Sequence, residues 1–271
     1  MNRNRKPQLP RIQKMNTVFC LRSPNGCLHF CGLSSIMEGS NRNAGGKAGV
    51  RSEEDRMERK IDTEHWITVN RHSSVCIAAE GKLLYVDPFE LPADAAPADV
   101  IFLSHSHFDH FSPQDIGKIC KPDTLFVLPA SMAREAAQTT AGHRVAAVAP
   151  GERGEAAGIP FEAVPAYNPN KPFHPRKNNW VGYLLQVNGL RVYIAGDTDA
   201  TQEAAAVRCD IAMLPIGGKY TMDGPEAAAL TDRIRPRVVI PIHYGSVAGS
   251  LQDFDRFAAK VDPSVTVRRV I

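Results

Sequence analysis

The sequence predicts an α/β protein built as an αββα sandwich, two mixed β-sheets flanked by helices, and three observations carry that prediction. Short apolar runs follow one another between turn residues along most of the chain, as strands do. Two pairs of these runs are joined by tight turns, so some neighbouring strands must be antiparallel. Helical stretches interrupt the series without alternating strictly with strands, which suits two mixed sheets better than an all-parallel doubly wound sheet or barrel.

The first pair is Ser74–Ala79 and Lys82–Val86, a hairpin around Glu80-Gly81 that leads into Asp87-Pro88. Strands are predicted next at 100–104, 124–128, 144–149 and 161–166. The second pair, Val181–Val187 and 191–195, closes around Asn188-Gly189, a dipeptide that tolerates the positive φ angles of a two-residue turn. Strands at Ile211–Pro215, Val238–Ile242 and 265–270 complete the series. Among the helices, the one after residue 112 has the clearest start. Ser112 offers an N-cap hydroxyl, Pro113 fits the first helical position and Asp115 stands near the positive end of the helix dipole. That helix should reach about Ile119, and others are predicted at 130–139, 201–207, 225–234 and 251–261.

The 271 residues are 43% hydrophobic, enough for one substantial core. Residues 1–56 mix Asn, Arg, Ser, Gly and Lys without periodicity and read as a disordered or weakly structured basic tail; residues 57–271 read as the domain. Residues 1–60 carry 12 Lys and Arg against 5 Asp and Glu, and the remainder 20 against 24, so the net charge of +3 belongs to the tail. The domain shows no basic stripe interleaved with aromatics, which argues against nucleic acid as a partner. Its apolar runs are too short to cross a bilayer, so no integral membrane contact is expected. Six Cys at 20, 27, 31, 76, 120 and 209 lack the paired C-x2-C spacing of a zinc knuckle, and reduced thiols in the cytoplasm fit them best.

The chemistry is concentrated in Leu103-Ser104-His105-Ser106-His107-Phe108-Asp109-His110, at the end of an apolar strand. At this composition the pattern H-x-H-x-D-H arises by chance in about one chain in two thousand, so coincidence is a poor account of it. In an extended chain 105 and 107 project to one side and can reach one ion, while the turn into the following helix re-aims Asp109 and His110 toward a second position. Asp197 in Ala195-Gly196-Asp197-Thr198 and His243 in Pro241-Ile242-His243-Tyr244-Gly245 also follow apolar strands directly. A single strand-end acid or imidazole is usually a turn or rim residue; with the 105–110 cluster the two make a donor set.

These motifs, with Leu214-Pro215-Ile216-Gly217-Gly218, Arg71-His72-Ser73-Ser74 and Val86-Asp87-Pro88-Phe89, resemble the metallo-β-lactamase superfamily from about residue 60 to the end. Within it the chain looks like the branch of small metal-dependent hydrolases related to ascorbate-phosphate lactonases and N-acyl-phosphatidylethanolamine phospholipase D. The resemblance implies a dinuclear site: His105 and His107 on one metal, Asp109, His110 and His243 on the other, Asp197 bridging. Where the family supplies a third His to the first metal, this chain reads Val164-Pro165-Ala166-Tyr167-Asn168, so Asn168 is expected as a substitute ligand, with His174 as a second candidate. An amide oxygen binds zinc more weakly than imidazole, so one or two divalent ions are expected, zinc first, with manganese or iron as alternatives.

The expected enzyme is thus a hydrolase that cleaves an ester, lactone or phosphodiester bond with a metal-bound hydroxide. Asp109 would ligate and orient the hydroxide, and His174 or Tyr220 would contact the leaving group or the oxyanion. Lys171, Arg176, Lys177 and Lys219 lie near the site in sequence and suit a small, anionic substrate. Two other readings are a metal-binding sensor or scaffold that has lost turnover, motivated by the absent third His, and a nuclease of the same superfamily. A homo-oligomer is compatible with the sequence.

Overall fold

The protein is described by a computed structural model covering residues 61–271; the expected tail at 1–56 and Cys20, Cys27 and Cys31 lie outside the described residues. The first sheet runs in the order β1 (Ile67–Arg71), β2 (Ser74–Ala79), β3 (Lys82–Val86), β4 (Val100–Phe102), β5 (Leu125–Pro129) and β6 (Arg144–Val148). The second places β13 (Thr266–Val267), β12 (Val238–Ile242), β11 (Ile211–Pro215), β10 (Leu190–Ile194), β9 (Val181–Val187), β8 (Ile159–Pro165) and β7 (Arg153–Ala156) side by side. Each sheet is antiparallel on one half and parallel on the other: β1 to β3 and β7 to β10 are joined by antiparallel pairs, the rest by parallel ones.

Three apolar clusters separate four layers. Val75, Ile77, Leu84, Val86 and Phe102 of the first sheet meet Tyr183, Leu185, Val192, Ile194, Met213 and Ile240 of the second between the sheets. Alternate strand residues face outward, as a period of two requires. Tyr85, Ile101, Leu103, Phe126 and Leu128 pack with Ile116 and Ile119 of helix α1 (Pro113–Ile119). Tyr193, Ala212, Leu214 and Val239 pack under α3 (Gln202–Ala206), α4 (Gly224–Ile234) and α5 (Gln252–Ala258). The αββα sandwich expected from the sequence is therefore the fold.

Local chemistry explains the boundaries. Ser112 caps α1 by accepting from the Asp115 N–H, and Asp115 in turn accepts from the N–H groups of Glu90 and Leu91 at 3.0 Å each, tying the loop after β3 to the helix. Asp223 and Glu226 form a reciprocal capping box on α4. Asn188 and Gly189 adopt φ of 50° and 72°, the left-handed values their hairpin needs. Two strands escaped prediction. β7 reads Arg-Gly-Glu-Ala, an exposed edge whose side chains give no apolar signal; β1 pairs only with β2 and is half polar. The helix expected at 130–139 is a 3-10 turn at Ala130–Met132 followed by the short α2 (Ala133–Ala136).

Candidate metal centre

The strand ends that carry the motifs lie at one edge of the sandwich, and direct contacts join the two sheets there. The Val181 N–H donates to the Ser104 carbonyl at 3.2 Å, and the His243 N–H to the His72 carbonyl at 3.0 Å. The Tyr183 hydroxyl donates to the Leu103 carbonyl at 2.7 Å, fixing the start of the His-rich loop from the opposite sheet. Asp87 follows β3, the 105–110 loop follows β4, Asn168 and His174 follow β8, Asp197 follows β10, and His243 follows β12.

Their side chains converge into three overlapping donor groups. His105 and His107 come together with His174; Asp109, His110 and His243 come together with His72; and Asp197 joins His105 and His110. Within each group one donor atom per residue lies within 4.8 Å of all the others. Asp197 spans the groups: its Oδ1 is 3.2 Å from His110 Nε2, while its Oδ2 is 3.2 Å from His174 Nε2 and 3.0 Å from His243 Nε2.

Hydrogen bonds behind the rings set which nitrogen faces inward. The backbone N–H of His174 can only donate, so the Asn168 atom 3.1 Å away is its oxygen, which also accepts from His174 Nδ1 at 2.9 Å. Nδ1 thus carries the hydrogen and Nε2 presents its lone pair. Ser104 donates its one hydroxyl hydrogen to Asp87 Oδ2, so it accepts from His105 Nδ1 at 2.9 Å and leaves His105 Nε2 as the lone-pair atom. His110 Nδ1 donates to Asp87 Oδ2 at 2.8 Å, which turns its Nε2 toward Asp197. One buried carboxylate, Asp87, therefore orients two of the rings, the arrangement by which outer residues hold metal-ligating histidines.

The residues present fit a divalent cation. Nε2 of His72, His110, His174 and His243 and Oδ1 of Asp197 are buried, yet none of them has a hydrogen-bond partner. The distances of 3.0–3.2 Å between imidazole nitrogens and Asp197 are short, but the orientations are not those of hydrogen bonds; a cation between them satisfies both. Charge points the same way. Burial lowers the His72 pKa to about 4 and holds His105 well below the usual imidazole range, so both offer lone pairs at neutral pH. Burial alone would raise Asp109, but its contact with His72 and the charge of His110 hold it at about 2. Asp197 is likewise held well below the ordinary carboxylate range, against the effect of burial, by His243 and His110. His110 is pushed well above the usual value, against burial, by Asp197 and Asp87: these buried carboxylates draw positive charge into the site.

Asn168, expected among the ligands, commits its oxygen to two N–H groups of His174 and acts on the site through that ring. His174, expected either as a replacement ligand or at the leaving group, lies with His105 and His107 in one group of possible donors. His72 was missed as a donor. Its signal was a histidine two residues before the first predicted strand; the structure places it fully buried at φ 54°, with Nδ1 3.0 Å from the Ser246 hydroxyl and Nε2 3.3 Å from Asp109. Trp180 lies against His105 and His107, with ring centroids 4.9 Å from each.

Fold and donor set together define a metal-dependent hydrolase of the metallo-β-lactamase superfamily, and the chain belongs to it: residues 66–243 match the model of the beta-lactamase superfamily domain. More narrowly, it belongs to the UPF0173 metal-dependent hydrolase family. It is 30% identical over 218 residues to a UPF0173 metal-dependent hydrolase of Aeropyrum pernix, covering 72% of this chain and 89% of the relative. With that of Symbiobacterium thermophilum it shares 32% identity over 192 residues, 66% of this chain and 83% of the relative. A crystal structure of a proposed metal-dependent hydrolase from Parabacteroides distasonis superposes with a TM-score of 0.67 at 30% identity, covering 75% of this chain and 91% of that one.

Proposed function

We propose that this hydrolase cleaves an ester-type bond (ester, lactone or phosphodiester) in a small molecule, using two divalent ions at the site. Zinc is the ion that three imidazoles with an added carboxylate suit best. The carrying observation is Asp197, whose two carboxylate oxygens face different imidazoles, Oδ1 toward His110 and Oδ2 toward His174 and His243. A carboxylate so placed could serve two ions at once.

His105, His107 and His174 would hold one ion, and His72, Asp109, His110 and His243 surround the other position. Bound there, the ions supply a water acidic enough to ionise near neutral pH and a Lewis acid for the bond attacked. The chain's own residues do the positioning. Asp87 and Asn168 keep the imidazole lone pairs turned inward, and Trp180 covers the His105 side and excludes bulk water from it. Asp109, which the contact with His72 keeps ionised against burial, would orient the attacking water. His174, lying with His105 and His107, would supply the third imidazole whose absence motivated the scaffold reading.

The test is metal analysis of the purified protein together with assays on p-nitrophenyl esters, lactones and bis(p-nitrophenyl) phosphate. Bound metal, turnover of at least one class, and loss of both in His110→Ala and Asp197→Ala are expected. A fully metallated protein that turns over none of the three classes, or an Asp197→Ala variant with full metal and activity, refutes the proposal.

A further inference from the structure

Large apolar side chains exposed to solvent gather beside the metal centre. Among the described residues five such side chains are exposed, and three adjoin the site in the chain. Phe108, 68% exposed, stands between His107 and Asp109. Phe173, 36% exposed, directly precedes His174. Val247, 38% exposed, follows Ser246, whose hydroxyl holds His72. Two of the three are extended into aromatic pairs: Phe108 meets Phe89 edge-on at 6.1 Å, and Phe173 meets Tyr220 edge-on at 4.7 Å. Water-facing phenylalanines cost free energy unless something covers them, and those flanking a polar centre in a loop are the usual lining of a binding site.

Of the four cations expected near the site, two are engaged by carboxylates. Lys171 donates to Asp199 and to the Thr221 carbonyl at 2.7 Å each, and Arg176 donates to Glu203 at 2.7 Å while lying over the Tyr167 ring. The Lys219 ammonium lies over the Tyr220 ring, 4.9 Å from its centroid. Bound carboxylates cancel the first two charges, and a phosphate would have to displace them.

We infer that Phe108 and Phe173 form a subsite for an apolar acyl or aryl group, and that the substrate is an uncharged carboxylic ester carrying such a group rather than a phosphoester. The inference rests on the hydrolytic reading above and narrows it. In the reaction hydroxide adds to the acyl carbon, the acyl C–O bond breaks, and the leaving oxygen takes a proton. Water and ester thereby become a carboxylic acid and an alcohol. Both phenylalanines act by covering the apolar group and so raise kcat/KM as that group lengthens.

The test compares kcat/KM of the zinc-loaded protein for p-nitrophenyl acetate, butyrate and octanoate and for bis(p-nitrophenyl) phosphate. In parallel, calorimetry measures the binding of acetate and octanoate. A rise of about tenfold or more from acetate to octanoate is expected, because each methylene removed from water is favourable. Tighter binding of octanoate than of acetate should accompany it. Phe108→Ala and Phe173→Ala should flatten both trends while metal per chain stays at the wild-type level; Phe108→Leu, which keeps an apolar side chain, should retain part of the rise. Turnover with no dependence on chain length, an unaltered slope in both alanine variants, or faster cleavage of the phosphodiester overturns the subsite and leaves the hydrolase standing. Chain-length-dependent binding without turnover of any ester upholds the apolar subsite and overturns the assignment of an ester as substrate.

Discussion

Gly217 lies in the loop that follows β11, and a Cβ added there would sit 2.3 Å from the His243 carbonyl oxygen and 3.2 Å from its Nδ1. Carbon and oxygen that are not bonded rarely approach closer than about 3 Å, so Gly217→Ala must part the two backbones by about 0.7 Å. His243 has little freedom to yield: it is fully buried, holds φ at 58°, and donates its N–H to the His72 carbonyl. Overpacking of this kind costs about 1–3 kcal/mol, which for a domain of this size lowers Tm by about 2–4 °C per kcal/mol. The displacement would carry two donor residues with it, and a misplacement near 1 Å costs on the order of a hundredfold in activity. Gly117 supplies the opposite case. It lies exposed within α1 with nothing within 4 Å of an added Cβ, so Gly117→Ala should stabilise by about 0.5–1 kcal/mol and leave metal binding alone. Differential scanning calorimetry and competition with a chromogenic chelator read both variants. A Gly217→Ala protein with wild-type Tm and wild-type metal affinity would refute the reasoning.

Four further outcomes follow from the same geometry. Asn168→Ala removes both acceptor contacts to His174 and should weaken metal binding about 10–100-fold in chelator competition; unchanged affinity would mean that the ring needs no such support. His72→Ala should lower the metal content by about one ion per chain while the His105, His107 and His174 group keeps its own, and elemental analysis showing full content would exclude His72 as a donor. Tyr183→Phe deletes the hydroxyl bonded to the Leu103 and Val127 carbonyls. It should cost about 1–2 kcal/mol, seen as a lower urea midpoint at constant m-value, and an unshifted midpoint would show that those carbonyls find other donors. Removing metal with a chelator should lower Tm, because ions that bind only the folded chain stabilise it by mass action; identical melting with and without chelator would count against a resident ion.

The short apolar runs within 74–86 and 181–195 and the turn chemistry of Asn188-Gly189 determined one hairpin in each sheet, since local backbone preference acts on neighbours in the chain. The same local logic made His105, His107, Asp109 and His110 legible, because they share one loop. What pattern could not decide was anything set between distant segments. β7 exists because β8 offers it an edge to pair with, and nothing in Arg-Gly-Glu-Ala announces a strand. The engagement of Lys171 by Asp199 and of Arg176 by Glu203 likewise appears only once the loops after β8 and β10 are packed together. The placing of Asn168, His174 and His72 was not legible for the same reason: a ligand is defined by where its lone pair points. That direction depends on hydrogen bonds to atoms brought near by the fold, such as the Asn168 oxygen behind His174 and the Ser246 hydroxyl behind His72. Sequence alone specified the donor types and the strands that carry them; the packing of two sheets at one edge decided which of them meet.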